Sequence, residues 1–67
     1  MSVAKNIEIT STSTVSFEDA IKQGIKRASA TIQNIRGAWI KEQKVDISDG
    51  AVTQYTAMMI LTFVLDD

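Results

Sequence analysis

The sequence predicts one α+β domain with the element order β-α-β-β, and three observations carry this prediction. Three segments have the alternating or strongly apolar character of β-strands. The segment between the first two has apolar residues three and four positions apart, as in an amphipathic helix. The chain has only 67 residues, the length of a single domain. Because a helix connects the first two strands, we expect these to run parallel with a gap that the third strand fills, antiparallel to both.

The first strand is predicted in VAKNIEIT, residues 3–10, where Ile7 and Ile9 share one face. The polar stretch STSTVS, residues 11–16, is expected to be a loop. Such a loop before a helix can bind phosphate through its backbone amides. The glycines of a phosphate-binding loop are absent here, so a solvated connection is favoured.

The helix is expected to begin after Ser16, a favourable N-cap residue, with Asp19 as an acidic variant of the capping box. Residues 34–37 are expected to end it. Its apolar stripe consists of Phe17, Ala20, Ile21, Ile25, Ala28, Ile32 and Ile35.

The second and third strands are predicted to form a hairpin. AWIKEQKVDI, residues 38–47, gives the second strand, and Asp49-Gly50 gives the tight turn. The third strand is AVTQYTAMMILTFVLDD, residues 51–67, and both of its faces are substantially apolar. One face carries Tyr55, Ala57, Met59, Leu61, Phe63 and Leu65, and the other carries Thr56, Met58, Ile60, Thr62 and Val64. A strand with two apolar faces is covered on both sides, which favours the central position.

One helix can cover only one face of this sheet. The face beneath it is expected to carry Ile7, Ile9, Ala38, Ile40, Met59, Leu61 and Phe63. We call the opposite side the open face; it carries Trp39, Met58, Ile60 and Val64. An exposed apolar patch of this kind marks an interaction site. We therefore expect other copies of the chain, a ligand, or both to cover the open face.

Composition narrows the classes of function. The chain has no cysteine and no histidine, so disulfides and the commonest zinc sites are excluded. Because no histidine or cysteine is available as a catalytic base or nucleophile, we do not expect an enzyme. Lack of cysteine fits the cytoplasm. A 67-residue chain without disulfides or zinc is marginal as a monomer and is expected to self-associate.

Nucleic acid and membranes are not expected as partners. The net charge is −1 and no basic patch is present, which argues against nucleic acid. The N-terminus lacks the apolar core of a signal peptide. The longest apolar run, AMMIL, is too short to span a bilayer.

Several short motifs occur in a fixed order along the chain: the first strand with STSTVS after it, SFEDAIKQGIKRASATIQNI, IKEQ, the DG turn and YTAMMILTFVLDD. In these motifs and their order the chain resembles the dodecins over nearly its whole length, so residues 1–67 are expected to form a single dodecin-like domain. The resemblance implies a three-stranded antiparallel sheet wrapped on one helix and a hollow homododecamer with the helices outside. It also implies a non-enzymatic protein that binds and stores a flavin: riboflavin, FMN or FAD.

Both residues that typically contact the flavin in dodecins are replaced in this sequence. The stacking tryptophan corresponds to Gly37, and the glutamine after the tyrosine of the third strand corresponds to Thr56. Trp39 lies two residues after Gly37, and Gln54 lies two residues before Thr56, so each has the same facing as the residue it would replace. In an antiparallel pair the residue numbers of partners have a constant sum, and this sum is the same for Gly37 with Thr56 as for Trp39 with Gln54. One interpretation is that the pair is displaced together toward the hairpin, by about 6.6 Å. The favoured interpretation is that Trp39 packs in an interface and Gln54 lies on the surface, because aromatic residues are enriched at interfaces.

Two further functions stay open. Some dodecin-like proteins without the tryptophan bind calcium, so the resemblance also implies a metal-binding assembly. VDISDG lacks the alternating ligands of an EF-hand loop, and surface solvation is the favoured role of the acidic side chains, although symmetry can gather carboxylates from several chains. The other alternative is an assembly without a small ligand. The acidic residues are Glu42, Asp46, Asp49, Asp66 and Asp67.

Overall fold

The computed structural model describes residues 2–65 and has the predicted element order. The elements are β1 (Ala4–Ser13), α1 (Phe17–Ser29), β2 (Ile35–Ser48) and β3 (Ala51–Val64). The sheet order is β1-β3-β2, and β3 is antiparallel to both neighbours. The predicted topology, with the third strand in the centre, is confirmed. Residues 66 and 67 of the predicted third strand lie outside the described residues.

β1 is longer than its sequence predicts. Ser11, Thr12 and Ser13 continue the ladder with β3. The prediction of a loop is therefore wrong for residues 11–13. The central strand supplies backbone partners along its whole length, and this pairing outweighs the weak local preference of serine for turns.

The predicted start of α1 is confirmed. The Ser16 hydroxyl accepts a hydrogen bond from the Asp19 amide at 2.9 Å. The carboxylate of Asp19 accepts a bond from the Ser13 hydroxyl at 2.6 Å instead of reaching back to the Ser16 amide. Asp19 thus joins the end of β1 to the first turn of the helix.

The helix ends earlier than predicted. α1 ends at Ser29, although the Ile32 amide still donates to the Ala28 carbonyl at 2.9 Å. Asn34 then has a φ of 64°, a left-handed conformation that asparagine tolerates and that turns the chain away from the helix. Ile35 is the first residue of β2 and packs against the core. The prediction that Ile32 and Ile35 belong to the helix is wrong, because pairing of Ile35 with β3 begins there.

The core lies between α1 and the strands β1 and β3. The buried residues are Ala20, Ala57, Met59 and Leu61, and Ile7, Ile9, Ile21, Ile25, Ala28 and Ile35 are partly buried against them. Gly24 allows the close approach of the helix, since a Cβ there would lie 2.9 Å from the Ser11 Cβ and 3.1 Å from the Met59 Cε. Among the described residues, no helix has the length and apolar character needed to cross a membrane.

Most of β2 lies outside the cover of the helix. α1 packs mainly on β1 and β3. Ala38 is exposed and Ile40 is 36% exposed, so the prediction that both lie beneath the helix is wrong. The reason is lateral position: Ala38 and Ile40 pair with Leu61 and Met59, which are fully buried, so at this height the helix lies over β1 and β3 and does not reach β2. The helix of 13 residues, about 20 Å long, is also shorter than the strands of 14 residues, which span about 46 Å. The β2-β3 hairpin therefore has long stretches without cover on either side.

Candidate functional site

The candidate site is the middle of the open face, on the side of the sheet away from α1. On β3, Met58 and Ile60 are half-buried and alternate with residues that face the helix. Ile60 pairs with Trp39 on β2 and with Glu8 on β1, so these three residues form one row across the sheet. Trp39 is 52% exposed. The largest apolar side chain of the chain thus lacks a cover on the open face.

A β-bulge next to Trp39 brings a positive charge onto this face. Ile40 pairs with Met59 and Glu42 pairs with Met58, which leaves Lys41 as the extra residue. The Lys41 Nζ lies 3.3 Å from the Glu8 Oε2. Because Lys41 and Glu8 come from the two outer strands, this ion pair crosses over β3.

The Lys41–Glu8 pair adds little to stability, because both side chains are about half exposed. Its importance is its position beside Trp39. Sequence patterns do not predict this ion pair, because it depends on the bulge and on the strand register. The only signal was the alternation of β1, which places Glu8 on the face opposite to Ile7 and Ile9.

Toward the hairpin, the open face becomes polar. Lys44 pairs with Thr56 across the strands, and its Nζ lies 3.7 Å from the Asp46 Oδ1. A groove of about 340 Å³ lies here, lined by Glu42, Gln43, Lys44, Thr56 and Met58. Thr56 itself is 4% exposed, so little of it is available to a ligand in one chain.

The four predicted site residues share the open face but do not meet in one chain. Gly37 pairs with Thr62 and Trp39 with Ile60, whereas Gln54 pairs with Asp46 and Thr56 with Lys44. Gly37 therefore does not lie opposite Thr56, and Trp39 does not lie opposite Gln54, because the two-residue turn and the bulges fix a different register.

Distances along the strands follow from this register. Along β3, Trp39 and Gln54 lie six residues apart, and so do Gly37 and Thr56, about 20 Å in each case. A flat ring system that contacts both members of either pair must therefore receive them from different chains. The role of these four residues in ligand binding stays a prediction.

No metal centre is formed by one chain within residues 2–65. No group of three or more acidic side chains there could hold a metal ion. Asp66 and Asp67 lie outside this range. The pKa of Lys22 is raised by its hydrogen bond with Glu18 and by the charge of that carboxylate, but both residues lie on the outer surface of α1, away from the open face.

Comparison with known proteins identifies the family. The sequence profile of the Dodecin family matches residues 3–66. The chain belongs to the dodecin family. Dodecins are generally non-enzymatic binding proteins that form homo-oligomers. The predicted resemblance is therefore confirmed. A comparison with curated proteins gave no match.

Solved dodecin structures have the same fold. A mutant of the Thermus thermophilus dodecin is 27% identical, with a TM-score of 0.94 and 100% of both chains covered. The dodecin from Streptomyces davaonensis is 29% identical, with a TM-score of 0.92 and 98% and 97% coverage of this chain and its own. The calcium dodecin of Mycobacterium tuberculosis, described as calcium chelating with a novel calcium-binding site, is 29% identical, with a TM-score of 0.82 and 96% and 91% coverage.

Proposed function

We propose that this dodecin assembles as a hollow homododecamer that stores a flavin, either riboflavin, FMN or FAD, against Trp39 on its open faces. The observation that carries the proposal is the 52% exposure of Trp39 beside the apolar Ile60 and Met58, on a face that no helix covers. In this proposal the protein binds and stores the flavin in the cytoplasm and has no enzymatic activity.

The uncovered apolar surface of the chain supports assembly. Ile40, Ile47 and Val52 are exposed along the β2-β3 hairpin, in addition to Trp39. A chain of 67 residues has a small core of its own, so burial of this surface between copies would be a large part of its stability. The family forms homo-oligomers, which supports the same conclusion.

The exposed ring of Trp39 supports a flat ligand. Stacking of an aromatic ligand on tryptophan contributes about 0.5–1.5 kcal/mol beyond the burial of area. Gly37 offers no ring, so Trp39 is the only platform on the open face of residues 2–65. We expect weaker binding than in dodecins with the usual tryptophan and glutamine. Gln54 or Thr56 can contact the same ligand only from a neighbouring chain.

Titration of riboflavin with the assembled protein, followed by flavin fluorescence, tests this function. We expect quenching in the wild type and a clear loss of affinity in Trp39→Ala, with the oligomer intact by light scattering. Val15→Ala serves as the matched control, because Val15 is also an exposed apolar residue but lies before α1. Absence of quenching in the wild type, or unchanged quenching in Trp39→Ala, would contradict the proposal.

Calcium is the second candidate, and the similarity to the calcium dodecin of M. tuberculosis favours it. Since no acidic cluster exists in one chain over residues 2–65, a calcium site would combine carboxylates of several chains. Calorimetric titration of the assembled protein with calcium, after removal of metal by a chelator, tests this candidate. Saturable calcium binding without flavin binding would favour it over the flavin, and absence of both would leave a purely structural assembly.

A further inference from the structure

We propose that Lys41 is the residue that contacts the polar edge of the planar ligand stacked on Trp39. This inference rests on the proposed function and names a residue that the family resemblance does not supply. It replaces Gln54 and Thr56 as the polar partner within the same chain.

Geometry places the Lys41 ammonium next to the stacking platform. Lys41 lies two residues after Trp39, about 6.6 Å along β2, and the bulge turns its side chain onto the open face. Its Nζ lies 3.3 Å from the Glu8 Oε2, and Glu8 is in the same row as Trp39 and Ile60. The ammonium therefore lies above β3, at the edge of the surface that a flat ring on Trp39 and Ile60 would cover.

Three other polar side chains of the open face are too distant or already engaged. Measured from Ile60 along β3, Thr56 lies about 13 Å away and Gln54 about 20 Å away. Thr62 is close to Ile60, but its hydroxyl donates to the Asn6 Oδ1 at 2.7 Å. Lys41, by contrast, has its ammonium beside Glu8, in the row of Trp39 and Ile60.

The chemistry of the lysine fits the polar edge of a flavin. An ammonium group has three N–H donors and no acceptor, so it can keep its bond to Glu8 and still donate to a ring carbonyl. Charge-assisted hydrogen bonds are shorter and stronger than neutral ones. The contact would fix the orientation of the ring on Trp39, because only the pyrimidine edge of the flavin carries carbonyl oxygens.

The test compares Lys41→Met with Lys22→Met in the assembled protein, using riboflavin as the probe. Both variants remove one ammonium that has a nearby carboxylate, but Lys22 lies on the outer surface of α1, away from the open face. We expect Lys41→Met to lose about tenfold in affinity, and Lys22→Met to bind within a factor of two of the wild type. Equal affinities of Lys41→Met and wild type, or equal losses in both variants, would overturn the proposal.

A spectroscopic measurement on the wild type needs no variant. Infrared difference spectra of bound riboflavin should show a carbonyl stretch at lower frequency than in an apolar solvent, because the ammonium polarises the bond. Absence of this shift would overturn the role of Lys41. If riboflavin fails to bind the wild type, the proposed function itself is contradicted; if binding depends on Trp39 but not on Lys41, only this inference is wrong.

Discussion

Gly37 and Trp39 decide how well a flat ligand can stack on the open face. Gly37 takes the position of the tryptophan that the family resemblance predicts, and an added Cβ there meets no atom within 4 Å. The missing ring is therefore not excluded by packing within the chain. Trp39, two residues further, is the platform that remains.

Gly37→Trp should strengthen flavin binding by several-fold. The new ring would lie on the open face and add stacking of about 0.5–1.5 kcal/mol. Fluorescence titration with riboflavin measures the change, and Gly37→Leu controls for apolar area without a flat ring. Equal affinities of Gly37→Trp and Gly37→Leu would show that stacking at this position contributes nothing.

Gly24→Ala should destabilise the fold by about 1–3 kcal/mol, because the new methyl overlaps the Ser11 Cβ at 2.9 Å. In an unconstrained helix the same change stabilises by about 1 kcal/mol. A loss of stability would therefore indicate that α1 lies too close to β1 to accept the methyl group. Urea unfolding measures it. Gly37→Ala, with open space around the new methyl, is the matched control. A stabilised Gly24→Ala would mean that α1 can shift away from β1.

At the scale of elements, the β2-β3 hairpin sets the register of the site. Asp49 and Gly50 both have positive φ, 53° and 78°, which fits the twist of a two-residue hairpin turn. This turn pairs Ser48 with Ala51, and the bulges shift the register further along. The pairing of Trp39 with Ile60 depends on this turn and on the bulges.

Gly50→Ala should cost about 1–2 kcal/mol of stability, because a side chain at a φ of 78° is strained although the space around it is open. The free energy of unfolding in urea measures the cost. Asp49→Asn is the control, since asparagine tolerates positive φ at least as well as aspartate. A neutral Gly50→Ala would indicate that the turn relaxes without penalty.

Sequence patterns predicted the elements that depend on local periodicity. The alternation of β3 and the cap at Ser16 gave the central strand and the start of α1 correctly. The end of the helix and the extension of β1 were missed, because strand pairing over Ile35 and Ser11 outweighs local preference. The pairing of the candidate site residues was missed because register depends on the turn and the bulges, which alternation does not reveal.

At the scale of the whole molecule, the open face is the proposed interface between copies. Met58 lies near its centre, opposite Glu42 on β2. Two interactions take place there in this proposal: the burial of apolar surface between chains and the stacking of the ligand on Trp39. A change at Met58 therefore tests assembly without removal of the stacking ring.

Met58→Glu should break the assembly into smaller species. The new carboxylate would lie beside Glu42 and would be buried without a partner, which costs several kcal/mol. Light scattering measures the mass, and Val15→Glu, which adds the same charge at an exposed residue before α1, is the control. If Met58→Glu assembles like the wild type, the open face is not the interface.

Native mass spectrometry of the protein after addition of riboflavin tests the central claim most directly, because it reports the number of chains and of ligands in one particle. We predict one dominant species with twelve times the chain mass of 7.4 kDa, and we expect this species to retain bound riboflavin. Trp39→Ala should give the same twelve-chain species without the ligand. A folded monomer, or a twelve-chain shell of the wild type that never retains riboflavin, would contradict the account.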